Sequence, residues 1–312
     1  MLEKLKHISF FKLFRNLYFL MRYNIYDLKV VKNEVLILNI FNYYREFPEL
    51  KENFQAELSY LLINPEDIIF PYKQLKRLET VQSGYDQQRK LPFVMHENKK
   101  LFFPKTWTAD RVVSTYMAFI ENENILGGNY KEKSPHQYET DNFCVNENDV
   151  LMDIGSAEGL FALHVINRVK KIYLIESDTL WIEALNATFE PYKEKVEIIN
   201  KLISDTDTVK TITLSSILIN ELTSSLFIKM DIEGYETIVL NASKNILSQN
   251  LNVKIACCTY HNQTDAETLT KIFTSMDYEV EFSDGYILYT DDKLMPPYFR
   301  KGVIRAKKCK KY

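Results

Sequence analysis

The stretch Val150-Leu151-Met152-Asp153-Ile154-Gly155-Ser156-Ala157-Glu158-Gly159-Leu160-Phe161 reads as an apolar strand, a glycine loop and the start of a helix. Only eight of the 312 residues are glycine, against an average near 7%, so two in one loop carry information. Two phosphate-binding loops are testable here. A P-loop needs Gly-Lys-Ser/Thr, and Gly159 is followed by Leu160. The dinucleotide fingerprint needs glycine at 157 and 160, where Ala157 and Leu160 stand. What remains is Asp-x-Gly-x-x-x-Gly: a carboxylate at a strand end and two glycines that let backbone approach a ligand.

The next apolar run, Ile172 to Ile175, ends in Glu176. A carboxylate at the tip of the second strand can bind both hydroxyls of a ribose. An adenosine ligand without a pyrophosphate cradle is the expectation, and S-adenosylmethionine fits. Asp153 would meet its amine, and backbone N–H groups its carboxylate. Gly155, Ser156, Ala157, Gly159, Glu176 and Ser177 complete the expected cofactor set, together with Asp231 further on.

Short apolar runs recur at Val150–Ile154, Lys171–Ile175, Val196–Ile203, Leu226–Met230 and Lys254–Thr259, with helical patterns between them. That rhythm predicts βαβ units and a mainly parallel sheet. Proline is absent from 192 to 295, as central strands require. Val280–Phe282 and Tyr286–Tyr289, joined through Asp284-Gly285, read as a closing antiparallel pair.

The fourth run reads Phe227-Ile228-Lys229-Met230-Asp231-Ile232-Glu233-Gly234-Tyr235-Glu236. Charges at the carboxyl end of a central strand are expensive to bury, and ligands bind at that end of open α/β sheets. This element, with the glycine loop and Glu176, resembles the FkbM-type S-adenosylmethionine-dependent methyltransferases. The likeness spans about 148–260 and runs on to Tyr260-His261 and the Gly285-Tyr286 turn. Ser134-Pro135-His136 ahead of it, and the segment Pro297 to Arg305 after it, resemble members associated with bacterial surface glycans. Ser156-Ala157-Glu158 departs from the usual loop and leaves the role of Glu158 open.

The resemblance implies a Rossmann-like class I methyltransferase fold, with a seven-stranded, mainly parallel sheet and an antiparallel closing hairpin. It implies methylation of a hydroxyl, of a sugar or other small-molecule acceptor. On this reading 1–128 is a mostly helical N-terminal region with a short hairpin over 92–103, and 129–312 is the methyltransferase domain. A hydroxyl acceptor benefits from a base. His261 is the expected base, titrating near neutrality, beside Asp231 and Glu233. His136 is the second candidate. A rival assigns Asp231, Glu233 and Glu236 to Mg²⁺; the metal-free reading is preferred because Lys229 supplies compensating charge. Two non-enzymatic readings stand beside these: an adenosyl-binding module, and a structural partner in a glycan-assembly complex.

Composition fits this picture. Apolar residues are 46% and charged ones 26%, with a net charge of −3, which suits a globular protein and argues against a nucleic-acid footprint. Cys144, Cys257, Cys258 and Cys309 lack metal-ligand spacing and read as reduced thiols of a cytoplasmic chain. No window is apolar enough to span a membrane. Residues 1–32, basic and aromatic, read as an amphipathic helix docking on protein, or as a peripheral membrane contact. The basic residues from Arg300 to Lys311 read as a solvated tail.

Overall fold

In a computed structural model the chain is described over residues 28–64, 68–72, 80–127, 134–249, 252–291 and 294–308. The N-terminal helix expected over 1–32 lies almost wholly outside those residues. The chain divides into two compact units, residues 1–73 with 286–299, and residues 74–285 with 300–312.

In the first unit, α1 (Leu28–Glu46) is followed by a 3₁₀ turn (Pro48–Phe54) and α2 (Gln55–Ile63). Ile37, Ile40, Tyr44, Leu58 and Leu61 bury one face of these helices together with Leu288 and Phe299. The Tyr44 hydroxyl donates to the Pro297 carbonyl at 2.5 Å. Residues 286–289 therefore belong to this core and are not the closing strand expected of them.

The second unit begins with β1 (Ser83–Asp86), β2 (Leu91–His96) and β3 (Lys99–Phe102), a three-stranded antiparallel sheet. Glu97 and Asn98, both at positive φ, make the two-residue turn between β2 and β3. Next come α3 (Ala109–Met117), β4 (Val150–Ile154), α4 (Leu160–Val165), β5 (Lys171–Ile175), α5 (Thr179–Phe189) and β6 (Val196–Ile199). Then follow β7 (Leu202–Ser204), β8 (Thr211–Thr213), α6 (Leu214–Leu218), β9 (Leu226–Met230), α7 (Glu236–Ala242) and α8 (Lys244–Gln249). The unit ends with β10 (Val253–Cys258), α9 (Asp265–Thr274), β11 (Tyr278–Phe282) and β12 (Val303–Lys308). The Phe102 N–H donates to the Thr188 hydroxyl at 2.9 Å, which pins the small sheet to α5. Residues 80–127 thus fold with the large sheet, and the break expected at 128 falls near 74 instead.

The main sheet has seven strands in the order β11-β12-β10-β9-β4-β5-β6. β4, β5, β6, β9 and β10 are parallel, and β12 runs antiparallel to both of its neighbours. This is the Rossmann-like class I methyltransferase arrangement. β4 and β9 are buried along their whole length, as continuous apolar runs under helices on both faces require. β4 lies between β5 and β9, where strand order reverses, so the crevice above its carboxyl end is the ligand position of such sheets.

Two expectations change. The run over 196–203 is two strands, because Asn200 turns aside to donate to the Glu176 carbonyl at 2.7 Å. The partner of β11 is β12, from the segment expected to be a solvated tail. Arg300, Arg305 and Lys308 are buried, each with its charged head on main-chain carbonyls. Among the described residues no helix is long and apolar enough to cross a membrane.

Candidate active site

The glycine loop leaves β4 under constraint from its neighbours. Gly155 sits at φ 72°, and a Cβ there would lie 1.9 Å from the Asp231 carbonyl oxygen. Strand packing alone therefore demands glycine. Gly159, at φ 79°, would push a Cβ to 2.7 Å from the Phe189 ring, so it lets α4 settle against α5. Between them Ala157 also adopts positive φ. Its N–H donates to Glu176 Oε2 at 2.8 Å, while Glu176 Oε1 takes the Asp178 N–H at 2.7 Å. Glu176 thus shapes the loop from beneath as well as standing at the tip of β5. Ser177 beside it is exposed.

Asp153 is buried at the end of β4, and Lys229 Nζ lies 3.0 Å from its Oδ1. Lys229 also donates to the Gly155 carbonyl at 2.6 Å. Burial raises the Asp153 carboxyl and Lys229 pulls it back. The expected amine contact at Asp153 therefore starts from a carboxyl already paired with a lysine. Glu158, also buried, has its carboxyl pushed up by burial to about 8. Asp153, Glu158, Lys229 and Asp231, with His136, Tyr138 and the loop, line a cavity of about 100 Å³. Ser156 Oγ in this lining is buried without a hydrogen-bond partner among the described residues. An unmet hydroxyl beside ligand-facing backbone suits the polar methionine end of S-adenosylmethionine.

Asp231, just past the carboxyl end of β9, is the centre of the polar cluster. Its oxygens accept from the hydroxyls of Tyr138 and Tyr260, each at 3.2 Å. His261 Nε2 lies 3.3 Å from Oδ1, and His136 Nε2 3.6 Å from Oδ2. Behind each imidazole stands another carboxylate: Glu236 Oε1 is 2.9 Å from His261 Nδ1, and Glu123 Oε2 is 3.0 Å from His136 Nδ1. Three carboxylates and two imidazoles thus alternate in the order Glu123, His136, Asp231, His261, Glu236. Burial works against the charged imidazoles, but the flanking carboxylates outweigh it and carry His136 up to about 9 and His261 up to about 10. Burial would raise Asp231; the two imidazoles and Lys229 hold it well below the usual carboxylate range instead. The histidine titrating near neutrality that the sequence predicts at 261 is not what these surroundings make.

Glu233, expected at the reacting centre, stands at its mouth. It adopts φ 55°, its side chain is 79% exposed, and its Oε2 is 3.8 Å from His261 Nε2. Glu123 and Tyr138 escaped the sequence reading, and Tyr260 entered it only as part of the family likeness, with no role. Tyr260 had a signal, adjacency to His261; Glu123 and Tyr138 had none, because the fold alone brings them in. The same is true of the arginines that hold the loops, Arg300 to the Tyr260 and His261 carbonyls and Arg305 to those of Gln137 and Tyr138.

Residues 114–280, more than half of the chain, match the family model of the methyltransferase FkbM domain. No curated protein matches the sequence. Among solved structures, the chain is similar to a precorrin-6y C5,15-methyltransferase of Geobacter metallireducens. That likeness has 14% identity and a TM-score of 0.37, over 53% of this chain and 82% of the other. It is also similar to the YcgJ protein of Bacillus subtilis, with 8% identity and a TM-score of 0.36, over 53% and 94%. Family membership sets aside the non-enzymatic readings: the chain belongs to the FkbM methyltransferase domain family and is an S-adenosylmethionine-dependent methyltransferase.

Proposed function

We propose that this enzyme O-methylates a hydroxyl of a sugar or glycan precursor, of the bacterial surface-polysaccharide type, in the cytoplasm. The observation that carries the reading is the Glu123-His136-Asp231-His261-Glu236 array beside the glycine loop. It offers a hydroxylic acceptor hydrogen-bond partners and a base in one place.

S-adenosylmethionine, when bound, supplies an electrophilic methyl group on a sulfonium. Gly155 to Gly159 and Asp153 would hold its methionine end, Glu176 with Ser177 its ribose, and Asp231 the edge facing the acceptor. Holding donor and acceptor in line supplies ~7–11 kcal/mol of the barrier. His261 takes the acceptor's proton at Nε2 in its neutral form. Glu236 at Nδ1 and Asp231 then stabilise the imidazolium. A base whose pKa is near 10 is seldom neutral at pH 7 but is strong when it is, which suits an alcohol.

The Mg²⁺ reading of Asp231, Glu233 and Glu236 is disfavoured by charge. Glu233 stands exposed at the mouth, and Asp231 already has His261 Nε2 at 3.3 Å and the ammonium of Lys229 near it, so a further cation meets repulsion there.

The test is transfer of labelled methyl from S-adenosylmethionine to a panel of nucleotide-sugars and lipid-linked glycans. Labelling of a sugar hydroxyl supports the proposal; labelling confined to amines or to protein overturns it. His261→Ala should abolish turnover and keep cofactor affinity. Wild-type turnover in that variant, with EDTA inhibition reversed by Mg²⁺, would hand the chemistry to a metal.

A further inference from the structure

A second histidine-carboxylate cluster lies apart from the Asp231 array. His96 ends β2, Glu97 begins the turn after it, and His164 lies on α4. One donor atom from each residue lies within 4.8 Å of the other two. His164 Nδ1 is 2.8 Å from Glu97 Oε1, and His96 Nε2 is 3.8 Å from that same oxygen.

His96 has the posture of a ligand. Its side chain is 5% exposed, and Nδ1 lies 3.0 Å from the Tyr116 hydroxyl. Burial holds that phenol neutral, its pKa raised to about 12. When Nδ1 carries the hydrogen and donates to Tyr116, the lone pair of Nε2 points toward Glu97. Nε2 is buried and has no hydrogen-bond partner among the described residues. Lys99 takes the other Glu97 oxygen at 3.1 Å, which leaves Oε1 to the two imidazoles.

We propose that His96, Glu97 and His164 bind a divalent transition metal of the Zn²⁺ class, with solvent completing its coordination. Two imidazoles and one carboxylate are donors that Zn²⁺ accepts and that Mg²⁺, which prefers oxygen alone, does not. Tetrahedral bonds of ~2.0–2.1 Å need donor atoms about 3.3 Å apart, so modest side-chain rotation converts the observed spacing. A metal on His164 Nδ1 displaces the hydrogen bond to Glu97, and the neutral ring carries its hydrogen on Nε2. Tyr116 stands behind Nδ1 and can accept its hydrogen when a metal takes Nε2, as an outer-shell partner does. The ion would clip the turn of the small sheet to α4, the helix that starts immediately after the glycine loop.

Calorimetric titration of the full chain, after chelator treatment, tests this with Zn²⁺ and with Mg²⁺. One equivalent of Zn²⁺ should bind and raise the unfolding temperature, and Mg²⁺ should do neither. His164→Gln and Glu97→Gln, both partly exposed and tolerant of change, should each weaken Zn²⁺ binding at least tenfold. Tyr116→Phe should weaken it by the ~10–100-fold typical of an outer-shell loss. His261→Gln should leave it unchanged. No Zn²⁺ binding, an equal response to Mg²⁺, binding that survives His164→Gln, or binding lost in His261→Gln would each overturn the site.

Discussion

Arg300 grips His261 through the main chain: its Nη1 donates to the His261 carbonyl at 3.0 Å and to the Tyr260 carbonyl at 2.7 Å. Its Nε donates to Gln263 Oε1 at 3.2 Å, so one buried guanidinium braces the whole turn after β10. Arg305 does the same for the other imidazole, with Nη2 on the Gln137 carbonyl at 2.7 Å and Nε on that of Tyr138 at 3.2 Å. Both arginines hold main chain beside the imidazoles, and so set where His136 and His261 stand.

Arg300→Lys keeps the charge and loses the fork. Turnover should fall about tenfold to a hundredfold, since a misplacement of ~1 Å can cost ~10²-fold. Cofactor affinity should stay within a few-fold. Steady-state rates and calorimetry on one preparation check this, and unaltered turnover would remove Arg300 from the positioning role.

Lys229→Met removes the partner of buried Asp153. Breaking such a pair costs ~3–5 kcal/mol, more than the pair itself contributes. Denaturant unfolding should show a loss of that order. The double variant with Asp153→Asn should recover much of it, because no lone charge then remains inside. A double variant no more stable than the single one would contradict this account.

Glu176→Ala takes the carboxylate from the Ala157 and Asp178 N–H groups as well as from the ribose it is proposed to hold. Cofactor affinity should fall about ten- to hundredfold, in keeping with ~1.5–3 kcal/mol for hydrogen bonds to a charged group. Some stability should go too, because a residue at positive φ loses its tether. Calorimetric affinity equal to wild type would show that the carboxylate serves only the loop.

Stability should fall as pH rises from about 6.5 to 10; below that range His96, pulled down by burial, offsets Glu158. The folded chain keeps a proton on Glu158 up to about 8, on His136 up to about 9 and on His261 up to about 10. The unfolded chain releases these protons near ~4.3 and ~6.5. Wherever the folded state binds more protons, stability declines with pH. The histidine part is complete below ~6.5 and lost through 9–10; Glu158 acts over the lower part of the range. Melting temperature against pH should lose its lower slope in Glu158→Gln and part of its upper slope in His261→Gln. Turnover runs the opposite way: a base must shed its proton first, so log kcat should climb with pH toward about 10.

The central sheet was readable because parallel strands, buried on both faces, leave uninterrupted apolar runs. Val150–Ile154, Lys171–Ile175 and Leu226–Met230 are strands with those same ends. The far edge was not readable. Arg305, Lys307 and Lys308 in a row look like a solvated tail, yet they lie in a strand whose first and last basic heads find carbonyls inside. Tyr286–Tyr289 follows a turn signal, yet Leu288 and Tyr286 pack in another core. Within the cluster, Asp231 and His261 announced themselves by following strands. Their protonation did not, because Glu236 and Glu123 act through space, and spacing along a chain carries no record of field.

The place of β12 between β10 and β11 bears on how the enzyme is made. Synthesis delivers Asp231 and His261 first and Arg300 and Arg305 later, a delay of seconds at ~5–20 residues per second. Through that interval β10 has an open edge where β12 will sit, the kind of edge that recruits strands from other chains. The nascent chain therefore carries the Asp231–His261 pair before the arginines that brace its surroundings.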